Sequence, residues 1–196
     1  MKILTAVIAS SLLTLTTSAQ SAAPDFAGTD ANGKTHSKAS CAGSVTVLEW
    51  VNPDCPYVLK FYRSGVMQKL QKDYAGRGVK WLSIASSGPG QPGHLDAAGA
   101  NAQVSEWKAA PTGLLLDEKG SVGKAFGAKR TPWVVILDAK SRIVYSGGLD
   151  GEMSFDPKRI DPKKNYVRDA LEQVLVGKPV SRSSSRGYGC SIKYAP

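Results

Sequence analysis

Cys55 has the clearest chemical potential in this chain, because it lies where an apolar strand pattern ends and a helical pattern begins. Pro56 follows it, and a proline at the first helical position needs no N–H partner and already has a helical φ angle. Cys55 is therefore predicted to cap the helix. Unpaired N–H groups and the positive end of the helix dipole favour a thiolate there, and the thiolate is the nucleophilic form. This pattern predicts thiol redox chemistry.

Two further cysteines, Cys41 and Cys190, make the total odd, so one thiol is unpaired or pairs transiently. Cys190 has two interpretations. It is either a resolving thiol that condenses with a Cys55 sulfenic acid, or half of a structural disulfide with Cys41 that ties the tail to the domain. The spacing along the chain leaves both open, because Cα atoms more than ~7 Å apart cannot be bridged without movement.

Charged residues near Cys55 in the sequence bear on its reactivity. The carboxylate of Asp54 would raise the pKa of the neighbouring thiol. Glu49 lies in the otherwise apolar strand before Cys55, and burial would raise its pKa and let it relay protons. We expect the Glu49 side chain to face outward instead. Arg130 either stabilises a thiolate and polarises a peroxide oxygen, or is simply solvated.

The elements that must position Cys55 follow from apolar periodicity. Residues 45–51 form a strand that is apolar on both faces, which predicts a central, covered position. A helix is predicted from Pro56 to Tyr74, followed by a strand over 79–85. The remaining predictions are a hairpin over 26–37, helices over 96–108, 122–126 and 166–175, a strand over 114–116, and a hairpin over 133–147. This order predicts a mixed α/β sheet with helices on both faces and Cys55 at its carboxyl edge.

The amino-terminal end of the chain has the pattern of a secretory signal over residues 1–21. Lys2 precedes an apolar stretch from Ile3 to Leu15, and small and polar residues follow. That stretch is shorter than the ~20 residues that a membrane-spanning helix needs, so no membrane span is expected after cleavage. The mature chain, residues 22–196, is predicted to be one domain in the periplasm or secreted medium, where disulfides persist.

Charge and motifs exclude several other classes of function. The formal net charge is +9, but the densest basic cluster, at the start of the last helix, also contains acidic residues and lacks an aromatic stacking platform. No nucleic-acid partner is therefore expected. His36 and His94 are isolated from cysteine, and no phosphate-binding glycine motif is present. Neither a metal site nor a cofactor is predicted.

Three segments of the chain resemble the thioredoxin superfamily, and most closely its peroxiredoxin-like, AhpC/TSA-related redoxin branch. They are Cys55-Pro56-Tyr57-Val58, Ala128-Lys129-Arg130-Thr131-Pro132 and Gly189-Cys190-Ser191-Ile192-Lys193. The resemblance extends from about Pro24 to Tyr194. It implies a thioredoxin-like fold, with a mixed central sheet flanked by helices, an N-terminal hairpin and a C-terminal tail.

The resemblance also implies roles for residues around the thiol, with one clear departure. Many relatives carry a C-x-x-C pair, but Asn52 and Val58 occupy the positions of a second sulfur, and Asn52 replaces the usual Thr or Ser of peroxiredoxins. The predicted substrate-binding residues are Asn52, Pro56, Thr131 and Pro132. By resemblance, the bond before Pro132 is cis, and the Thr131 backbone faces the sulfur and pairs with a bound peptide or substrate.

These observations predict an extracytoplasmic thiol-dependent oxidoreductase. Cys55, the single helix-start cysteine, would reduce a small peroxide or a disulfide, with Arg130 assisting. Cys190 or an external thiol reductant would resolve the product. Two alternatives stay open: a monothiol protein that exchanges disulfides with other proteins, and a non-catalytic thioredoxin-fold binding module in which Cys190 is bonded to Cys41.

Overall fold

The computed structural model describes residues 20–196, so the predicted signal peptide lies outside the described residues except for Gln20 and Ser21. The strands are β1 Ala27–Thr29, β2 Thr35–Ser37, β3 Thr46–Val51, β4 Lys80–Ala85, β5 Gly113–Leu116, β6 Arg130–Thr131, β7 Trp133–Leu137, β8 Ile143–Gly147 and β9 Cys190–Ser191. The helices are α1 Lys38–Cys41, α2 Pro56–Arg63, α3 Val66–Ala75, α4 Ala97–Glu106, α5 Ser121–Ala125 and α6 Tyr166–Leu175, with a 3-10 turn at Pro157–Arg159. None of the helices within 20–196 is long and apolar enough to cross a membrane.

The central sheet has five strands in the order β5-β4-β3-β7-β8. The middle strand, β3, runs parallel to β4 and antiparallel to β7, and all six of its residues are buried. This arrangement confirms the predicted mixed sheet and the central, covered strand. The predicted hairpins are also confirmed, since β1 pairs with β2 and β7 pairs with β8, both antiparallel.

Two apolar cores lie on opposite faces of β3, because successive side chains of a strand point to opposite sides. The first core contains Val47 and Val51, which pack with side chains of α2, α3 and α6. The second core contains Leu48 and Trp50, which pack with side chains from the amino-terminal segment and α5. The sheet is therefore covered on both faces, which explains the apolar character of both sides of β3.

The long helix predicted from Pro56 to Tyr74 is wrong, because the chain forms two helices there. α2 ends at Arg63, and Gly65 adopts a φ of 79° as the N-cap of α3. Glycine tolerates this left-handed conformation at little cost, whereas a helix interior does not accommodate it. Apolar residues of both helices face the first core, so the periodicity continues across the break.

Candidate active site

Cys55 lies at the carboxyl edge of the central sheet, in the turn that joins β3 to α2. It is the N-cap residue of α2, with Pro56 at the first helical position, as the sequence predicts, but its sulfur makes no capping hydrogen bond to the N–H groups of the helix. The Cys55 N–H donates to the Asn52 carbonyl at 3.1 Å, and the Cys55 carbonyl accepts from Val58 and Leu59 N–H groups at 2.9 Å. This turn fixes the backbone, so the sulfur position is set by the strand on one side and the helix on the other.

The Cys55 thiol is enclosed by protein, with only 1% of the residue exposed to solvent. Its sulfur donates to the Thr131 carbonyl oxygen at 3.2 Å. The Thr131–Pro132 bond is cis, as the family resemblance implies. The Thr131 hydroxyl is buried and has no hydrogen-bond partner among residues 20–196. Thr131 and Pro132 thus lie beside the thiol, while their role in substrate binding remains a prediction.

The C-terminal tail brings Cys190 to the same site. Strand β9 pairs antiparallel with β6, so Cys190 lies directly opposite Thr131. The pKa of Cys190 is raised to about 12, first by burial and then by the hydrogen bond and charge of Cys55. Cys190 packs against the first core, which contains Cys55, whereas Cys41 is buried in the second core. The geometry therefore places Cys190 with Cys55 and not with Cys41.

We call residues Tyr188–Tyr194 the strap, because they cross the sheet edge from one core to the other. Tyr188 belongs to the first core and Ile192 to the second. The Ile192 N–H donates to the Lys129 carbonyl at 3.1 Å, and the Tyr194 hydroxyl donates to the Ala128 carbonyl at 2.6 Å. The strap is consequently anchored on both faces of the sheet, with Cys190 held between the two anchors.

Gly189 explains how the strap lies so close to Cys55. It has a φ of 101°, and a Cβ atom at this position would lie 2.1 Å from the Thr131 oxygen. Only glycine fits such a contact and such a backbone conformation without strain. The Arg130 guanidinium, which was predicted to act on a thiolate or peroxide, is exposed and donates to the Gly189 carbonyl at 2.9 Å. Arg130 therefore holds the strap in this structure.

Asn52 supports the backbone around the site. Its Oδ1 accepts from the Asp54 N–H at 2.8 Å, and its Nδ2 donates to the Pro92 carbonyl at 3.3 Å. Gly93, with a φ of 78°, lies so close that a Cβ atom would be 2.2 Å from the Asn52 side chain. Asn52 thus connects the turn before Cys55 to the glycine-rich loop that follows β4. Its contact with substrate stays a prediction.

Lys60 forms a buried polar cluster that the sequence analysis missed. It is only 1% exposed, its Nζ donates to the Glu152 carbonyl at 2.9 Å, and it lies 3.7 Å from Asp150 Oδ2. Burial lowers the pKa of Lys60, and Asp150 and Glu152 oppose that shift. The Tyr188 hydroxyl donates to Asp150. The cluster anchors the strap, but its members are far apart in sequence and share no local motif.

The expectation that Glu49 faces outward is wrong, since the residue is 1% exposed. It lies on the face of β3 that α2 and α3 cover. Its Oε2 accepts from Trp81 Nε1 at 2.7 Å and from Ser83 Oγ at 3.2 Å, and its Oε1 accepts from the Tyr62 hydroxyl at 2.9 Å. Burial raises the pKa of Glu49 to about 7, and these hydrogen bonds limit the rise. A buried Glu49 with a raised pKa meets the condition for proton relay that the sequence predicts.

No cluster of three or more His, Cys, Asp or Glu residues within 20–196 is arranged to hold a metal ion. Two neighbouring thiols, those of Cys55 and Cys190, lie at the sheet edge. Both belong to residues that the sequence singled out, and the structure adds the strap, which carries Cys190 and lies over Cys55.

Solved structures with the same fold cover nearly the whole chain. A hypothetical protein from Sinorhizobium meliloti is 26% identical with a TM-score of 0.78, over 92% of this chain and 97% of that one. An uncharacterized conserved protein from Geobacillus kaustophilus is 28% identical with a TM-score of 0.79, over 90% and 92%. A thiol:disulfide interchange protein of the thioredoxin family from Chlorobium tepidum is 15% identical with a TM-score of 0.56, over 81% and 99%, and shows the fold alone.

Comparison with sequence families gives the remaining evidence. No curated protein matches this chain. The Redoxin family model matches residues 18–159, which include Cys55 and the cis proline and end before the strap. Together with the five-stranded sheet and the solved structures, this match confirms the predicted thioredoxin-like fold. The chain belongs to the redoxin family, in the AhpC/TSA-related branch of the thioredoxin superfamily.

Proposed function

We propose that this chain is an extracytoplasmic thiol oxidoreductase in which Cys55 is oxidised and Cys190 resolves the product. Membership of the redoxin family supports a thiol-disulfide oxidoreductase in general terms. The observation that carries the finer proposal is the pairing of β6 with β9, which holds Cys190 opposite Thr131 and beside the Cys55 sulfur. Two thiols at one site can exchange electrons as a disulfide, whereas one thiol needs an external partner.

The proposed reaction has three steps: oxidation of Cys55, formation of a disulfide, and reduction of that disulfide. The Cys55 thiolate attacks one peroxide oxygen, the O–O bond breaks, and the other oxygen leaves as water or an alcohol after it takes up a proton. The Cys190 sulfur then attacks the Cys55 sulfenic acid, and the hydroxyl group leaves as water with the Cys190 proton. An external thiol reductant finally returns two electrons and two protons to the Cys55–Cys190 disulfide.

The raised pKa of Cys190 supports this division of roles. A thiol whose pKa is about 12 keeps its proton at neutral pH, so it is a poor first nucleophile. Part of that rise comes from the charge of Cys55 and disappears once Cys55 carries a sulfenic acid, which is neutral. Burial, the first cause of the raised pKa of Cys190, persists after Cys55 is oxidised, so the direction of the shift remains upward.

The 1% exposure of Cys55 favours a second candidate function. If the strap never opens, the thiol is inert and the protein is a thioredoxin-fold binding module. The two candidates differ in one measurable property, which is whether Cys55 reacts with peroxide while the protein is folded. A monothiol exchange protein would react with other proteins and would not need Cys190.

Intact mass spectrometry after stoichiometric hydrogen peroxide separates these candidates. The wild-type protein should lose about 2 Da, which is two hydrogen atoms, as the disulfide forms. Cys190→Ser should stop at the sulfenic or sulfinic acid of Cys55, and Cys41→Ser should behave as wild type because that thiol lies in the other core. A Cys55→Ser variant that consumes peroxide as fast as wild type would exclude the proposed chemistry.

The proposed location rests on residues 1–21, whose charged, apolar and small-residue pattern is typical of an export signal. Periplasmic or secreted proteins keep disulfides, which suits a Cys55–Cys190 couple. Fractionation of cells that express the full chain tests this directly. The mature protein should start after Ala19 or Ser21 and appear outside the cytoplasm, whereas an intact amino terminus in the cytoplasmic fraction would contradict the proposal.

A further inference from the structure

The strap occupies the edge of β6, the strand whose Thr131 contacts the Cys55 sulfur. Strand β6 has only two residues, and β9 pairs with both of them. If the strap were absent, the backbone of Arg130 and Thr131 would form an open edge, and such edges accept any extended polypeptide. The Thr131 carbonyl is also the group that contacts the Cys55 sulfur. An incoming polypeptide that reached the thiol would therefore need the place that the strap already fills.

The strap is held by contacts that differ in kind on its two sides. On the side of the first core, the Tyr188 ring packs edge-on against Tyr57 at 5.8 Å, and its hydroxyl donates to Asp150. On the side of the second core, Ile192 is buried and the Lys193 carbonyl accepts from the Gly88 N–H at 2.8 Å. Displacement of the strap breaks these contacts together, because Cys190 lies between them.

We propose that the strap is a built-in occupant of the strand edge beside Cys55, and that it restricts the oxidants of this thiol to small molecules such as hydrogen peroxide or a small disulfide. The inference rests on the proposed reactivity of Cys55 and specifies its substrate class. A small molecule needs only a local fluctuation around Cys55, whereas a polypeptide disulfide needs removal of the whole strap. Openings of different size carry different free energies, so the two substrate classes react at different rates.

The same arrangement makes Cys190 the first thiol to meet oxidised Cys55. Because β9 holds Cys190 opposite Thr131, the second step is intramolecular and has a high effective concentration. An external polypeptide thiol meets the same barrier as a polypeptide disulfide. The strap therefore acts both as the cover of Cys55 and as its resolving partner.

The test uses full-length mature protein with Cys41→Ser and Cys190→Ser, so that Cys55 is the only thiol. Two probes carry the same thionitrobenzoate leaving group: the symmetrical small aromatic disulfide, and a mixed disulfide with a cysteine-containing extended peptide. Release of the coloured thiolate gives the rate for each probe. The small probe should react at least about tenfold faster than the peptide probe, because only the peptide needs the strap to leave.

A matched pair of glycine variants then identifies the barrier. In Gly189→Ala the new Cβ would lie 2.1 Å from the Thr131 oxygen, so the strap cannot keep its place. In Gly177→Ala the backbone φ is also positive, at 71°, but nothing lies within 4 Å of the new Cβ. Gly189→Ala should accelerate the peptide probe about tenfold and leave the ratio of the two rates near one, whereas Gly177→Ala should change neither. Arg130→Ala, which removes a strap hydrogen bond without a clash, should shift the ratio in the same direction.

The outcomes distinguish this inference from the proposed function. Equal rates for both probes before any glycine change would overturn the strap as a size barrier and leave Cys55 chemistry intact. An unchanged ratio in both Gly189→Ala and Arg130→Ala would also overturn it. A Cys55 that reacts with neither probe, and also not with hydrogen peroxide, until the protein is unfolded would refute both proposals and favour the binding module.

Discussion

Replacement of Glu49 by Gln tests the buried carboxyl at the centre of the sheet. Glu49→Gln keeps the size of the side chain, and its amide oxygen can occupy the position of Oε2, which accepts from Trp81 and Ser83. Its amide nitrogen then lies at the position of Oε1 and donates to the Tyr62 hydroxyl, which is 2.9 Å away. Trp81, Ser83 and the Tyr62 hydroxyl thus each keep a hydrogen-bond partner at position 49, and the side chain can no longer ionise.

The magnitude follows from the pKa of Glu49, which burial raises from 4.5 to about 7. Between these values the folded protein keeps a proton that the unfolded chain has released. The unfolding free energy therefore falls as pH rises through this window. At 1.36 kcal/mol for each pH unit, the carboxyl removes about 3 kcal/mol of stability between pH 4 and pH 8. The Gln variant does not lose this amount.

Urea unfolding of wild type and Glu49→Gln at pH 4, 6 and 8, under reducing conditions, measures the effect. The difference in unfolding free energy, variant minus wild type, should grow by about 3 kcal/mol across this range, since all other groups titrate equally in both proteins. Most of the change should fall between pH 4.5 and 7. A difference that stays constant with pH would refute the reasoning, because Glu49 would then ionise alike in the folded and unfolded chain.

Three further predictions concern contacts around the site. Tyr188→Phe removes the hydroxyl that donates to the buried Asp150 carboxylate, so the unfolding free energy measured in urea should fall by about 1–2 kcal/mol. An unchanged unfolding free energy would show that this bond is dispensable. Thr131→Val removes a hydroxyl that lacks a partner within residues 20–196, so thermal unfolding should show a gain of about 1 kcal/mol, while a loss would reveal a partner. Gly93→Ala should lower the unfolding free energy by at least about 2 kcal/mol more than the control Gly90→Ala. Both glycines have a positive φ, but only Gly93 lies against the Asn52 side chain. Equal losses of unfolding free energy would contradict this.

The sequence predicted the part of the site that depends on neighbouring residues. Pro56 after an apolar strand was sufficient to place Cys55 at a helix start, because the first helical position suits proline for purely local reasons. The break at Gly65 escaped prediction, since the apolar spacing continues on both sides of it. Local geometry and periodicity thus located the thiol but not the length of the helix behind it.

The family resemblance implied that the Thr131 backbone faces the thiol, but the other long-range contacts around the site could not be predicted, because they join residues that are distant in the chain. Glu49 appeared to be an outward-facing charge, and only the packing of Trp81 and Tyr62 over that face shows that it is buried and satisfied. The strap has no helical or strand periodicity, and its path depends on Asp150 and Lys129, which belong to other elements. Such pairings carry no local signal in a single sequence.

The order of synthesis gives the strap a further consequence. A chain is made from its amino end, so the central strands and α2 exist long before Tyr188–Tyr194 is complete. Until the strap has been made, the Cys55 sulfur at the start of α2 lacks the segment that covers it. Synthesis of the strap is therefore the step that buries the Cys55 sulfur, and removal of Tyr188–Tyr194 would change the surroundings of a residue at the centre of the protein.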